Sequence, residues 1–188
     1  DVTALIGGRN YTNSPYNRVT QAKRQPGSTI KPILYAAALE EGFSPLTFME
    51  SEKTIFTYDD GRSQYEPKNV NGEFAEHPIS LAQALAISDN IYAVKTLEKI
   101  GYKPFEKMMK RFGVDATIQH TPSMALGTAE VTLKDLTGAY NQLASGGLKK
   151  PPRTILSIKD SDGKTIFEAE PQERKDEEQI MKADDAFI

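Results

Sequence analysis

A serine and a lysine stand three positions apart in the segment RQPGSTIK, at residues 24–31. Residues at this spacing share a helix face, so the Ser28 hydroxyl and the Lys31 amine can meet. A serine hydroxyl becomes a good nucleophile only when a base takes its proton, and a lysine is a base only when its amine is neutral. Burial and the positive end of a helix both favour the neutral amine. The pattern therefore predicts an activated serine, with the Ser28 backbone N–H available to stabilise an oxyanion.

The S-x-x-K spacing has low specificity by itself, because about one copy is expected by chance in a chain of this composition. A second copy, Ser161 to Lys164, falls in a predicted hairpin turn, which offers neither burial nor a helix dipole, and we interpret it as accidental. The sequence SDN at residues 88–90 adds an S-x-N element between two predicted helices. These residue types are also common helix caps, which is the structural alternative. The functional interpretation gives Ser88 a role in proton transfer beside the lysine and Asn90 a role in holding a substrate carbonyl.

Composition narrows the possible classes of function. The chain has 188 residues, a formal net charge of −3 and no cysteine. Its length suits one domain with a substantial core, and its charge gives no basic signature for nucleic acid. Neither His77 nor His120 has the spacing of a metal site or of a catalytic triad. We therefore expect no metal, no cofactor and no nucleic-acid partner.

Hydrophobic periodicity and capping signals predict the elements that must position these residues. A helix is predicted over about 28–41, with Pro32 in its first turn and Gly42 at its end. Further helices are predicted over about 81–87, 90–100, 104–113, 132–144 and 177–187, the first of them after a capping box at residues 80–83. A strand is predicted over 2–6, a hairpin over 154–168 and irregular structure over 43–79. This order predicts an α+β fold with part of its sheet missing, since one strand and one hairpin do not make a stable sheet.

Longer segments of the chain resemble the transpeptidase domain of class A, bifunctional penicillin-binding proteins. They are GGRNY at 7–11, NRVTQ at 17–21, RQPGSTIKP at 24–32, YxPxN at 65–69, LxxALxxSxN at 81–90 and ALGTxEVT at 125–132. S-x-x-K and S-D-N are two of the three motifs by which penicillin-binding proteins and class A β-lactamases are known. The resemblance extends over nearly all of the chain and keeps the order of the family's motifs.

The resemblance implies a serine β-lactamase/DD-peptidase-like transpeptidase fold, with a helical subdomain and an antiparallel sheet, incomplete in this chain. It implies that Ser28 is the acyl-enzyme nucleophile, Lys31 its base, Ser88 an aid to proton transfer and Asn90 a contact of the substrate amide. The reaction it implies is peptidoglycan cross-linking by a DD-transpeptidase that acts on the D-Ala-D-Ala end of a stem peptide. β-Lactam antibiotics are expected to acylate the same serine.

The family's third motif, Lys-Thr-Gly, is absent from the chain. The two Lys-Thr pairs, at 95–96 and 164–165, are not followed by glycine. We therefore interpret residues 1–188 as the N-terminal and central part of the transpeptidase domain, and expect this part alone to be inactive. The resemblance also implies a glycosyltransferase domain and a membrane anchor in the parent chain, and a location on the extracytoplasmic face of the bacterial cell membrane.

Two other functions stay open at this point. A serine β-lactamase of class A uses a glutamate in an E-x-x-L-N loop downstream of S-D-N. Glu98, Glu106 and Glu130 follow Asn90 without that context, which counts against this alternative. A non-catalytic module that senses β-lactams could keep the same serine, and the rate at which its acyl-enzyme breaks down would distinguish it from a transpeptidase.

Overall fold

The computed structural model of the protein describes residues 2–169 and 178–187. Within these residues the helices are α1 (Lys31–Glu40), α2 (Leu81–Ala86), α3 (Asn90–Ile100), α4 (Tyr102–Arg111), α5 (Leu133–Ala144) and α6 (Ala183–Phe187). Two 3₁₀ turns, Gly27–Ile30 and Pro122–Leu126, precede α1 and follow α4. No helix in the described part of the chain is long and apolar enough to cross a membrane.

Short strands of the described chain form four antiparallel pairs. The pairs are β1 (Lys23–Arg24) with β6 (Val131–Thr132), β2 (Phe48–Glu50) with β5 (Pro78–Ser80), β3 (Phe56–Tyr58) with β4 (Ser63–Tyr65), and β7 (Ser157–Lys159) with β8 (Thr165–Glu168). Helices and antiparallel strands together confirm the predicted α+β class. The last pair confirms the predicted hairpin, with strands shorter than expected.

Helix α1 lies in the centre of the hydrophobic core and packs against α3 and α4. Its residues are apolar on nearly all sides, as is typical of a fully buried helix, and Ile33 and Leu34 are 0 % exposed. Pro32 occupies the first turn, where a missing N–H costs no hydrogen bond. Gly42 follows the helix with φ +91°, which confirms the predicted end. Lys31 is thus the first residue of the most central layer of the core.

The junction between α2 and α3 is built by two local caps. Ser80 and Gln83 form the predicted capping box at the start of α2, with bonds of 2.9 and 3.2 Å between backbone and side chain. Asp89 caps α3, because its Oδ1 accepts the Tyr92 N–H at 2.7 Å. Both helix starts therefore follow from side chains within three residues, and the SDN sequence occupies the break between the helices.

Three sequence predictions differ from the structure. Residues 2–6 form no strand; the Val2 N–H donates to the Arg153 carbonyl at 2.8 Å, but no ladder continues from it within the described chain. Residues 43–80 contain four strands where irregular structure was predicted over 43–79, including a hairpin whose turn is 59–62. The last helix begins at Ala183, because Gln179 pairs with Leu148 in an isolated antiparallel bridge and Ile180 and Met181 are buried in the core. The predicted part of that helix at residue 177 lies outside the described residues.

Candidate active site

The Lys31 side chain is buried and fully engaged in hydrogen bonds. The residue is 1 % exposed although it carries an amine. Its Nζ donates to the Ser88 carbonyl at 2.7 Å, to Ser88 Oγ at 3.0 Å and to Asn90 Oδ1 at 2.6 Å. An ammonium has three donors, and here each has one acceptor. The structure therefore brings three of the four predicted site residues into direct contact, although 57 residues separate Lys31 from Ser88.

Burial makes the Lys31 amine a weaker base than a lysine in water. Desolvation disfavours the charged form and lowers the pKa of Lys31 from 10.5 to about 8, while the charge of Asp89 opposes this by raising it. No carboxylate oxygen of the described chain lies within 4.0 Å of Nζ, so the nearest acceptors are uncharged. About one Lys31 amine in ten is then neutral at pH 7, a fraction far above that of an exposed lysine.

The three acceptors of Lys31 differ in what they do when the lysine loses a proton. A carbonyl oxygen can only accept, and Asn90 Oδ1 also only accepts because its Nδ2 donates to the Lys68 carbonyl at 2.7 Å. A hydroxyl can both donate and accept. When Lys31 is neutral, its lone pair can therefore receive the O–H of Ser88 while its two remaining protons stay on the carbonyl and the amide. Ser88 is the contact through which a proton can enter the lysine.

Ser88 contacts Lys31 from a turn whose backbone is strained. Ser88 has φ +57°, in the left-handed region that side chains other than glycine seldom adopt. Its N–H donates to the Leu85 carbonyl and the Asp89 N–H to the Ala84 carbonyl, which is the Schellman pattern at the end of α2. The same turn presents both the carbonyl and the hydroxyl of Ser88 to Lys31 Nζ. Strain at this position is consistent with a site that requires this geometry.

Ser28 lies in the 3₁₀ turn that precedes α1, and its side chain is exposed. It makes no side-chain hydrogen bond to another residue of the described chain, and the Lys31 amine reaches the hydroxyl of Ser88 instead of that of Ser28. Such catalytic contacts are often long in unliganded structures. The start of the turn leaves the Ser28 N–H without an acceptor inside it, as the oxyanion interpretation requires.

Two glycines set the position of the turn that carries Ser28. Gly27 has φ +59° and Gly127 has φ +74°. The Gly27 N–H donates to the Gly127 carbonyl at 3.3 Å. A Cβ at Gly127 would lie 2.2 Å from the Gly27 oxygen, which no structure tolerates without movement. The segment ALGT at 125–128 is therefore pressed against the residue that precedes Ser28.

Asn69, Asp89 and Ser51 belong to the site but were not predicted to take part in it. Asp89 is 1 % exposed and Ser51 is 0 % exposed. Asp89 Oδ2 accepts the Ser51 hydroxyl at 2.6 Å and Asn69 Nδ2 at 2.9 Å. Asn69 lies in the YxPxN segment, which marked it as part of the resemblance without indicating a role. A buried polar side chain that satisfies its hydrogen bonds inside the core produces no periodic pattern in the sequence, so these three residues could not be recognised from it.

The other candidates lie apart from this cluster. Ser161 and Lys164 are both exposed in the turn between β7 and β8, which supports the interpretation of this S-x-x-K copy as accidental. His120 stacks on the Tyr102 ring at 4.8 Å and contacts Glu106, and His77 is exposed. In the described residues, no group of three or more His, Cys, Asp or Glu side chains is arranged to hold a metal ion.

The α+β fold thus places a serine, a lysine and an asparagine in one hydrogen-bonded cluster, and comparison with known proteins assigns the family. The family model for the penicillin-binding protein transpeptidase domain matches residues 1–187. The chain therefore belongs to the penicillin-binding protein transpeptidase family.

Individual relatives agree with this assignment. The chain is 47 % identical over 188 residues to penicillin-binding protein 2D of Bacillus subtilis, of which it covers 27 %. It is 39 % identical over 173 residues to penicillin-binding protein 1A of Escherichia coli, with 91 % of this chain and 20 % of that protein covered. The chain thus spans about a quarter of the length of these curated relatives.

Solved structures show the same fold. The crystal structure of penicillin-binding protein 1A from Haemophilus influenzae is similar with a TM-score of 0.80 and 32 % identity, over 87 % of this chain and 24 % of that chain. An imipenem acyl-enzyme complex of penicillin-binding protein A from Mycobacterium tuberculosis is similar with a TM-score of 0.78 over 91 % of this chain and 43 % of that chain. The second has 22 % sequence identity and supports the fold alone.

Proposed function

We propose that the chain is part of a DD-transpeptidase that cross-links peptidoglycan through an acyl-enzyme on Ser28. The Ser28 hydroxyl attacks the carbonyl carbon of the D-Ala-D-Ala bond and transfers its proton, through or beside Ser88, to the neutral amine of Lys31. The terminal D-alanine leaves with that proton on its nitrogen. An amine of a second stem peptide then attacks the ester and releases Ser28. Asn90 holds the substrate amide, and the Ser28 N–H stabilises the oxyanion.

The observation that carries this proposal is the contact of the buried Lys31 amine with Ser88 and Asn90. A lysine whose pKa is lowered by burial to about 8 is neutral often enough to act as a base near neutral pH. Its hydrogen bonds reach two residues of a second motif from a distant part of the chain. A merely structural lysine would gain more from a carboxylate partner, and none lies within 4.0 Å in the described residues.

The relatives extend the proposal to the whole protein. We propose that residues 1–188 are the N-terminal and central part of the transpeptidase domain in a longer protein, because they cover 20–27 % of the relatives named above. By analogy with class A members, that protein carries a glycosyltransferase domain and a membrane anchor. It would act on the extracytoplasmic face of the membrane, and β-lactam antibiotics would acylate Ser28. A Lys-Thr-Gly motif downstream in the longer protein would support this placement.

The experiment is covalent labelling of the full-length protein with a fluorescent penicillin, followed by peptide mapping of the adduct. Label is expected on the peptide that contains Ser28. Ser28→Ala should remove it, and Lys31→Met should slow it by about 10² or more, because the nucleophile then lacks its base. Ser161→Ala is the matched control from the second S-x-x-K copy and should label like wild type.

The fate of the adduct separates the proposal from its alternatives. A transpeptidase holds the acyl-enzyme until an acceptor amine arrives, and it forms cross-linked product from stem peptides. Rapid hydrolysis of the penicillin adduct would indicate a β-lactamase, and stable acylation without any turnover of stem peptides would indicate a sensing module. Label retained in Ser28→Ala would mean that the nucleophile is assigned wrongly.

A further inference from the structure

Asp89 is a buried carboxylate in the middle of the SDN sequence, and neither motif chemistry nor the proposed reaction gives it a role. It is 1 % exposed and accepts three hydrogen bonds, from the Ser51 hydroxyl, Asn69 Nδ2 and the Tyr92 N–H. It also sits at the start of α3, where the helix dipole favours negative charge. These partners are uncharged, and in the described residues no Lys, Arg or His nitrogen lies within 4.0 Å of the carboxylate.

Asn69 joins this carboxylate to the site. Its Nδ2 donates to Asp89 Oδ2 at 2.9 Å and to the Glu73 carbonyl at 2.9 Å, while its Oδ1 accepts the Asn90 N–H at 2.8 Å. Both N–H hydrogens of the Asn69 amide therefore have an acceptor, and its oxygen has a donor. One side chain therefore fixes both Asp89 and Asn90 relative to the loop at 66–73, and Asn90 in turn accepts a bond from Lys31.

The charges around Lys31 come from few groups. From the break between α2 and α3 the carboxylate of Asp89 acts on the amine, and from α1 itself the Tyr35 hydroxyl lies buried beyond Lys31. The 66–73 loop contributes carbonyls to Asn69 and Asn90, from Glu73 and Lys68; of its charged ends, Glu66 is half-buried and pairs with Lys53, and Glu73 is exposed. Asp89 is thus the buried negative charge that faces the buried amine, across a gap longer than an ion pair.

We propose that Asp89 and Asn69 act as a positioning pair for the proposed acyl transfer. Asp89 stands in the chain between Ser88 and Asn90, the two residues that Lys31 Nζ contacts, and Asn69 holds both Asp89 and Asn90 in place by hydrogen bonds. This inference rests on the proposed function for its consequence in catalysis. Its part about Lys31 rests on the place of Asp89 between Ser88 and Asn90, the two residues that Lys31 Nζ contacts, and on the charge of Asp89, which raises the pKa of that amine. Neither residue touches the substrate in this scheme.

The sign of the effect follows from electrostatics. A negative charge near an amine favours the ammonium, so removal of the Asp89 charge lowers the pKa of Lys31 further. More Lys31 is then neutral at low pH. The rise of the acylation rate with pH, which reports deprotonation of the base, should move to lower pH by about one unit when the charge is lost. A purely structural cap would lower the rate at every pH without moving this midpoint.

The variants are chosen to separate the charge of Asp89 from its hydrogen bond with Asn69. Asp89→Asn places an NH₂ against the NH₂ of Asn69, and Asn69→Asp places two carboxylates together, so both single variants should be destabilised. The double swap, Asp89→Asn with Asn69→Asp, reverses the bond between them and preserves acceptors for the Tyr92 N–H and the Asn90 N–H. Like Asn69→Asp alone, it sets a carboxylate against the Glu73 carbonyl, to which Asn69 Nδ2 donates in the wild type. The swap should therefore melt higher than Asn69→Asp, which shares that contact.

The experiment measures two quantities on the full-length protein between about pH 5 and about pH 10. One is the rate of acylation by a fluorescent penicillin. The other is the titration of the Lys31 ¹⁵Nζ signal, assigned by its loss in Lys31→Met. In Asp89→Asn both midpoints should fall by about one unit, and in the swap both should lie nearer to wild type. Arg111→Gln, which removes an exposed partner of Glu40, is the control and should move neither midpoint.

Each outcome decides one of the two claims. A Lys31 midpoint that is the same in wild type and Asp89→Asn overturns the inference about charge, even if acylation of Ser28 proceeds normally. A swap that melts no higher than Asn69→Asp overturns the pairing of Asp89 with Asn69. If the ¹⁵N midpoint falls as expected while no variant is acylated at Ser28, the inference about Lys31 holds and the proposed function fails.

Discussion

The backbone N–H of Gly27 donates to the carbonyl of Gly127 at 3.3 Å, so two segments a hundred residues apart are held backbone to backbone beside Ser28. Gly127 has no room for a side chain, since a Cβ there would overlap the Gly27 oxygen. Because Gly127 has no side chain, its segment can approach the turn that carries the exposed Ser28 closely enough to hold it. Any group added at that point must move the turn that carries the nucleophile.

We expect Gly127→Ala to lower the acylation rate by about tenfold or more, because a shift of about an ångström at the nucleophile is costly to geometry-dependent chemistry. It should also destabilise the domain by about 1–3 kcal/mol through overpacking. The matched control is Gly146→Ala. Gly146 has a similar φ of +72° but open space around its Cβ position. Acylation kinetics and thermal melting of the two variants check this; equal loss of acylation in both would mean that the contact with Gly27 does not position Ser28.

The sequence predicted local features of this fold well and non-local ones poorly. The capping box at Ser80 and the ends of α1 and α3 depend on residues within one helical turn, and all were predicted. The pairing of β2 with β5 joins three-residue strands separated by about thirty positions, and such short strands carry no periodic signal. Residues 2–6 are mostly apolar and were predicted as a strand, yet in the described residues no neighbouring segment pairs with them beyond the bond of Val2.

The site was predicted to the extent that its motifs are contiguous. S-x-x-K and S-x-N named Ser28, Lys31, Ser88 and Asn90, and the structure brings Lys31, Ser88 and Asn90 together. The supporting residues were missed because their hydrogen bonds cross between segments. Asn69 contacts Asp89 from 20 positions away, and Ser51 does so from 38. A single sequence does not show which buried amide meets which carboxylate.

The acylation rate should depend on pH through Lys31. The proposed base must be neutral, so the rate should rise about tenfold per pH unit below the pKa of about 8 and level off above it. Stopped-flow acylation by a fluorescent penicillin over this range checks the prediction. A rate that is flat between about pH 6 and about pH 9 would show that deprotonation of Lys31 is not required.

The lowered pKa of Lys31 should also make the stability of the domain depend on pH. Between pH 8 and 10.5 the unfolded lysine binds a proton that the folded lysine has released, so the free energy of unfolding should rise with pH in this window. Lys31→Met removes the titrating group and should remove this part of the slope. Chemical denaturation of both proteins at several pH values measures the difference. Identical slopes for wild type and Lys31→Met would contradict the lowered pKa.

Two buried tyrosines in contact offer a matched test of hydrogen bonding in the core. The rings of Tyr35 and Tyr92 meet edge to face, with centroids 5.9 Å apart. The Tyr92 hydroxyl donates to the Thr47 carbonyl at 2.7 Å, whereas the Tyr35 hydroxyl has no partner in the described residues. Tyr92→Phe should therefore destabilise the domain by about 0.5–1.5 kcal/mol, and Tyr35→Phe should be neutral or stabilising. Thermal melting checks both, and a larger loss in Tyr35→Phe would mean that its hydroxyl is satisfied in solution.

The strained backbone of Ser88 allows its chemical role to be separated from its structural one. Ser88 combines φ +57° with a hydroxyl bonded to Lys31 Nζ at 3.0 Å. Ser88→Ala removes the hydroxyl and keeps the strain, while Ser88→Gly removes both, because glycine adopts the left-handed region without cost. Ser88→Gly should therefore be about 1 kcal/mol more stable than Ser88→Ala. Both should lose acylation activity to a similar degree, about 10²-fold, if the hydroxyl carries the proton. Melting curves and acylation rates of the two variants decide the point: activity that follows stability would show that Ser88 serves only to shape the turn, whereas equal loss of activity at unequal stability would assign the effect to the hydroxyl.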